Sequence, residues 1–417
     1  MPTITADGIY YVDLGPDPDF TDGSFISAYP EQATWDDHVG NGDSDGVGNF
    51  SCQFTRTARD QDGDLVISAH DFIGPWRSYF RLRYGNDAIM AGPVTNTGIG
   101  LNDDFMSVSG KTWEAYMARW QYPFDGRTHP PSDIDHINDF TFSNTFMGNE
   151  SVGSGVATPN GLAYQANNRD VILIWSDLIA NAMNLVPNRM IFDLSKLATL
   201  SGIRTNYQLS LNDTSYFDSI IQGLAGTGQG FDWWISWTRK FYWATPYRFG
   251  NPATPSLIYT IDSDHLPEDL AFQNEGPMST HTNGNGAGLA TQTTLSRAFG
   301  YGPAQTQFTR LDANYDFGDV RNVDQLINKT QRRLSKDLQP VHTIPVTIDP
   351  TTFVNFWPSF RKGRAIYIDL DLGYHHIDSG QQIVGYSANM NEEGDVLVDL
   401  TLSQIYDLSY NAGSAEG

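Results

Sequence analysis

What most constrains this chain is the rhythm of its first hundred residues, where short apolar segments alternate with turn-forming clusters. GIYYVDLG, SFISAYP, FSCQFTRTA, DLVISAH and YFRLRYG are rich in β-branched and aromatic residues, which pack well on a pleated surface. Between them stand PDPDFTDGS, GNGDSDGVGN and RDQDGD, where Gly, Asp and Asn supply tight turns. This spacing predicts a small barrel or sandwich over residues 1–110. At 417 residues the chain is longer than one core usually supports, since single cores seldom grow past roughly 250 residues. A 40% hydrophobic and 18% charged composition belongs to a folded chain.

At Lys111 the period changes. In KTWEAYMARW, Trp113, Tyr116, Met117 and Trp120 fall at i, i+3, i+4 and i+7, one face of a helix. A turn-rich stretch follows, and a Gly/Asn/Ser run through about Gly161 reads as a long surface loop or insertion, extending over 141–168. A second helix fits 170–186, with Ile172, Trp175, Leu178, Ile179, Ala182 and Val186 on one side and Pro187 ending it. Strand TNYQLSL leads to a third helix lined by Phe217, Ile220, Ile221 and Leu224, with Asn212, Asp213 or Thr214 as its cap. Two aromatic strands, FDWWISW and KFYWATPY, then make a hairpin with its turn near Arg239.

From Asn251 a second β-rich part begins with LIYTID and THTNGNGAGLATQT. A helix is expected at about 320–338, with Val320, Val323, Ile327, Leu334 and Leu338 inward and Pro340 closing it. HTIPVTI, GRAIYIDL, QQIVGYSANM and DVLVDLTLSQI close the chain as strands, with NEEGD as the last hairpin turn. The fold class is therefore α+β and β-rich.

The formal charge is -24, from 25 basic and 49 acidic residues. Such a surface repels phosphate backbones and argues against stable nucleic-acid binding, while suiting a channel wall that DNA slides past. Cys52 is the single cysteine, which excludes an intrachain disulfide and a cysteine-based zinc site. MPTITADGIYYVDLG does not read as a secretory signal, and no run approaches about 18 consecutive apolar residues, the length of a membrane span.

Motifs that could carry chemistry are weak. Ser109-Gly110-Lys111-Thr112 resembles the end of a phosphate-binding loop, but Phe105 stands where a glycine is needed, so a helix start is the better reading. Gly42-Asp43-Ser44-Asp45-Gly46 matches a serine-nucleophile pattern without the strand-to-helix turn it requires. Asp60, Asp62 and Asp64 with Gly63 resemble part of a calcium loop that lacks its closing glutamate. His129, Asp133, Asp135, His136 and Asp139, like His375-His376 with Asp378, hold metal-ligand types without fixed geometry. Cys52 with His70 is better read as a small core cysteine than as a thiol nucleophile and its base. Among Trp233, Trp234, Trp237 and Trp243, alternation puts Trp233, Ile235 and Trp237 on one face and Trp234 on the other. Core packing comes first for these rings, then a subunit interface, then sugar stacking. No catalytic, cofactor-binding or metal-binding residue is assigned, and no cofactor.

Four stretches in order carry a resemblance: the first barrel into MSVSGKTWEAYMARW; LSLNDTSYFDSIIQGLAGTGQGFDWWISWTRKFYWATP; SRAFGYGPAQTQF to NVDQLINKTQRRLSKDLQP; and KGRAIYIDL with IVGYSANMNEEGDVLVDLTLSQI. The chain resembles the tail-tip baseplate hub, or minor tail, proteins of long-tailed phages. The resemblance implies two tube-forming β-barrel domains, 1–110 and 251–417, with a helix- and loop-rich domain at 111–204 and a small strand-helix-hairpin domain at 205–250. It implies a non-enzymatic virion protein at the distal tip of the tail, a homotrimer whose six barrels meet a six-fold tail. The implied partners are the distal tail protein ring and tail tube, the tape measure protein, and a central fibre or spike. DNA would pass through an acidic lumen. Two other readings compete: a receptor-binding tail protein gripping surface glycans through the tryptophan hairpin, and a tail-associated wall hydrolase.

Overall fold

The computed structural model describes residues 9–21, 25–42, 44–55, 57–60, 62–66, 73–99, 105–122, 162–185, 190–210, 215–226, 231–244, 260–261, 273–275, 279–286, 295–300, 310–317, 323–337, 341–343, 346–353, 356–371 and 376–404. The N-terminal part contributes β1 (Tyr10–Gly15), β2 (Ile26–Ala28), β3 (Gln32–His38), β4 (Asn49–Thr55), β5 (Tyr79–Tyr84), β6 (Asp87–Ile99) and β7 (Phe105–Lys111). Burial alternates along β3, β4 and β7, so Trp35, Phe50, Cys52, Phe54, Met106 and Val108 share one inner face. Two expectations change here. Residues 64–66 of DLVISAH form a turn and a bridge, Arg59 to Leu65, and the rest of that segment lies outside the described residues. Ser109–Lys111 end strand β7, and KTWEAYMARW forms a 3-10 turn at Trp113–Tyr116. Its apolar face still packs inward, through Trp113, Met117 and Trp120.

The middle of the chain builds a second core from β8 (Gln121–Tyr122), β9 (Leu162–Asp170), α1 (Val171–Leu185), β10 (Arg204–Ser210), β11 (Ser215–Tyr216), α2 (Phe217–Ala225), β12 (Asp232–Ile235) and β13 (Phe241–Ala244). Residues 162–168, expected within a surface loop, belong to β9 and pair with β10. Helix α1 buries Val171, Ile172, Ile174, Trp175, Leu178, Ile179 and Ala182, and its valine, isoleucine and leucine side chains each contribute about 1.5–3 kcal/mol when fully withdrawn from water. Its start is held by Asp170, whose carboxylate accepts from Ile172 N–H, Ser201 Oγ–H and Gly202 N–H. The expected cap of α2, at 212–214, lies outside the described residues. Tyr216 occupies the cap position without a side-chain bond. Carbonyls of Trp120 and Met117 instead accept from Phe217 and Asp218 N–H, so the aromatic 3-10 segment satisfies the first-turn amides that a serine or aspartate usually serves.

The C-terminal part runs through β14 (Thr260–Ile261), β15 (Gln273–Glu275), β16 (His281–Gly286), β17 (Leu295–Gly300), β18 (Asp312–Phe317), α3 (Val323–Asp337), β19 (Val341–Thr343), β20 (Val346–Ile348), α4 (Phe356–Ser359), β21 (Ala365–Asp371), β22 (His376–Met390) and β23 (Val396–Gln404). The NEEGD turn forms as expected: Asn391 Oδ1 accepts from Glu393 and Asp395 N–H, and Gly394 takes φ +85. Helix α3 buries Leu334 as expected but turns its other inner positions away from the expected stripe, of which Val320 and Leu338, with the closing Pro340, lie outside the described residues. Leu326, Thr330, Leu334 and Asp337 are buried, while Val323 and Ile327 are half-buried. Two polar residues point inward because Thr330 lies against Gly284 and Asp337 accepts from Tyr315 and Ser279 hydroxyls.

Strand pairing then joins the chain's ends. A twelve-stranded sheet runs β14-β21-β22-β3-β4-β7-β6-β5-β1-β2, with β23 on β22 and β20 on β23. The long β22 pairs with β21 over 376–382, and with β3 over 385–390. The two parts also share one hydrophobic core. Trp357 packs 5.7 Å from Trp35 and donates its indole N–H to Tyr10 Oη at 3.0 Å. Among the described residues this sheet is open and largely antiparallel, without a closed barrel.

Candidate functional site

Strands that bury every second residue must present the others outward, and here those others form ordered rows across seven strands. One row is Thr347, Asp399, Ser387, Asp36, Asn49 and Lys111. The next is Leu397, Asn389, Thr34, Ser51, Ser109 and Asn96. A third runs Gln32, Gln53, Ser107 and Gly98. Most of these side chains are short hydroxyls or amides. They bond to one another across strands: Thr347 Oγ1 donates to Asp399 Oδ1 at 2.6 Å, Asn49 Nδ2 donates to Asp36, and the Ser51 and Ser109 hydroxyls meet at 3.4 Å. The face is hollowed into a concavity of about 620 Å³ whose charged lining groups are Asp36, Asp399 and Lys111. It is a hydroxyl- and amide-rich surface with few charges.

Behind this face, a buried ionic junction fastens the two ends of the chain to the middle. Lys362 Nζ donates to Asp37 Oδ1 at 2.6 Å, to Glu114 Oε1 at 2.8 Å and to the His38 carbonyl at 3.2 Å. Glu114 Oε1 also accepts from Ile235 N–H at 2.7 Å, while its Oε2 is buried without a partner. Exposure of the three side chains is 6%, 9% and 0% for Lys362, Asp37 and Glu114. Burial pushes the Asp37 carboxyl up to about 7, against the pull of Lys362 and with the help of Glu114. Burial opposes the Lys362 ammonium, but the two carboxylates outweigh it and hold it above the ordinary lysine value. A second buried group, Asp13, takes Arg81 at 2.7 Å and Arg83 at 3.1 Å, and Arg83 goes on to Ser27 Oγ at 2.7 Å. Neither cluster was legible beforehand, because their members are far apart in the chain.

The motifs weighed on sequence fall elsewhere. Asp60 accepts from Asp62 and Asp64 N–H and Gly63 sits at φ +89, so that acidic segment is a turn held by its own carboxylate. The glycine-aspartate-serine segment is likewise a turn, in which Asn41 Oδ1 accepts from Ser44 N–H and Gly40 bridges Asp45. Cys52 is buried in β4, where burial pushes its thiol up, and His70 lies outside the described residues. So do His129, Asp133, Asp135, His136, Asp139 and His375. His376 and Asp378 lie in β22, and their side chains are not among those described. Among the described residues no group of three or more metal-ligand types comes together. Trp233 and Ile235 are buried as alternation required, Trp237 and Trp243 pack partly against the same core, and Trp234 stacks on Tyr242. The hairpin's rings are spent mainly on packing.

No family model matches the chain, and no curated protein matches it. Solved structures do. A tail protein from Neisseria meningitidis superimposes with a TM-score of 0.54 at 11% identity, covering 97% of this chain and 99% of its own. The 43 kDa tail protein of prophage MuSo2 from Shewanella oneidensis gives 0.53 at 10% identity, with 95% and 98% covered. Prophage tail protein gp18 from Listeria monocytogenes gives 0.51 at 9% identity, with 96% of both chains covered. The chain has the fold of these phage tail proteins from end to end, and that fold persists where sequence identity does not.

Proposed function

We propose that this chain is a structural component of a phage tail, the hub at its distal tip, in which three copies close a ring around a channel. The observation that carries this reading is a fold shared with tail proteins over nearly the whole of each chain. Residues 1–110 and 251–417 act as the two tube-forming parts, so that three copies offer six sheet segments to a six-fold tube. Residues 111–204 and 205–250 are carried beside them. Closing the ring removes exposed sheet edges. Its neighbours are the distal tail protein ring and tube on one side and a central fibre or spike on the other.

The polar face described above is assigned to the channel. Short hydroxyl and amide side chains hydrogen-bonded to one another leave few strong sites for a passing tape measure protein or duplex. With Lys111 as the basic group of its hollow and a net charge of -24 overall, it offers phosphates little to hold. On this reading the wall at this face is more neutral than the overall charge alone implies. The role requires no catalytic centre and no cofactor.

Light scattering on the purified protein, with negative-stain images of the same peak, tests the proposal. Three-fold rings with an open centre support it. A monomer that binds host glycans tightly would replace it with a receptor-binding role.

A further inference from the structure

The Lys362 junction is unusual because two carboxylates face one ammonium inside the protein. All three lysine donors are used, on Asp37, Glu114 and the His38 carbonyl. Four separate segments meet there: β3, the 3-10 turn, β12 through Ile235 N–H, and the segment that leads into β21. An ion pair of this kind is stable when charges balance; an extra buried negative charge is costly. With both carboxylates ionised the cluster carries one, and Glu114 Oε2 has no donor to share it.

We infer that the junction is a proton-held latch, in which one proton on the Asp37 carboxyl balances the cluster and keeps the C-terminal strands seated on β3.

The neighbouring charges give the unbalanced form no relief. Asp36 lies beside Asp37 in β3, adding negative charge, and His38 is turned towards Asp36 and Asp45 at 3.8 and 3.9 Å. From β22, Tyr386 is buried against the same carboxylates and held neutral well above its ordinary value, by burial first. Arg361 lowers that tyrosine but spends its Nε–H on the Trp357 carbonyl. Loss of the proton therefore leaves a bare negative charge at the seam where β22 pairs with β3.

The sign follows from linkage. A carboxyl whose value is higher folded than unfolded stabilises the fold fully at low pH and loses that contribution as pH rises through the folded value. For Asp37 the window runs from its ordinary 3.8 to about 7.

The test compares thermal and urea unfolding of the full-length protein and Asp37→Asn between pH 5 and pH 8.5, alongside infrared spectra of both proteins. The asparagine is neutral at every pH. The expected result is a melting temperature that falls from pH 5 to 8.5 in the native protein relative to the variant. The carbonyl stretch of a protonated carboxylic acid should also be present at pH 5.5, fade by pH 8.5 and be missing from Asp37→Asn. Parallel pH profiles together with no such band would overturn the latch. If the variant does not fold, the band and its titration in the native protein decide alone: its absence at pH 5.5 overturns the proposal.

Discussion

Gly40 and Trp233 make a clasp whose strength can be worked from the structure. Each donates its backbone N–H to the other's carbonyl at 2.8 Å, tying the end of β3 to the tryptophan hairpin. A β-carbon at residue 40 would lie 2.7 Å from Trp233 Cζ2 and nearer still to Cε2 and Nε1. Carbon pairs prefer about 3.5–4.0 Å, so the indole would have to retreat by about 1 Å or more. It has nowhere to go: Trp233 is fully buried and its ring lies 5.7 Å from that of Trp175. Gly40→Ala should therefore cost about 1–3 kcal/mol by overpacking. Trp233→Ala should cost about 3–5 kcal/mol through the cavity it leaves. In the Trp233→Ala background the clash is gone, and Gly40→Ala should be neutral or stabilise slightly, by up to about 1 kcal/mol through the unfolded chain. The double-mutant cycle, read by urea unfolding followed by circular dichroism, should show a coupling of about 1–4 kcal/mol. An equal cost of Gly40→Ala in both backgrounds would refute the clasp and leave the glycine with another purpose.

Removing the buried cation by Lys362→Met leaves two carboxylates unpaired and should destabilise by about 3–5 kcal/mol; unfolding midpoints at pH 7 check this. Asp170→Ala strips the acceptor from two amides and the Ser201 hydroxyl, and should cost about 2–3 kcal/mol in the same assay. Cys52, buried with its thiol pushed up, should be silent to a thiol reagent in the native protein and react once after denaturation. On the polar face, Thr34→Lys with Ser51→Lys sets two ammonium groups opposite each other across β3 and β4 and should cost up to about 1 kcal/mol. The same pair should create a salt-sensitive retention on immobilised duplex DNA that the native protein lacks.

Local physics was readable in the sequence. The alternation of β3, β4 and β7, the apolar stripe of α1, the hairpin at 232–244 and the NEEGD turn each depend on neighbours within a few residues. Those patterns also carried the likeness to tail proteins that the fold bears out. Where local signal misled, a tertiary partner had intervened. KTWEAYMARW has a helical period, but Glu114 is drawn into the lysine junction and the Met117 and Trp120 carbonyls are taken by the first amides of α2, and only a 3-10 turn forms. In α3, Thr330 and Asp337 face inward because glycine and hydroxyl partners await them, and a count of apolar residues passes over such positions.

The sequence by itself determined that this chain is β-rich, acidic, aromatic and built from short strands, because strand and turn propensities act over a handful of residues. Only the tertiary structure decided that β22 leaves β21 to pair with β3, that residues 37, 114 and 362 meet in one buried cluster, and that seven strands align their polar side chains into one face. The lysine junction alone joins residues 325 positions apart, and nothing in a local pattern states which distant edge a strand will find.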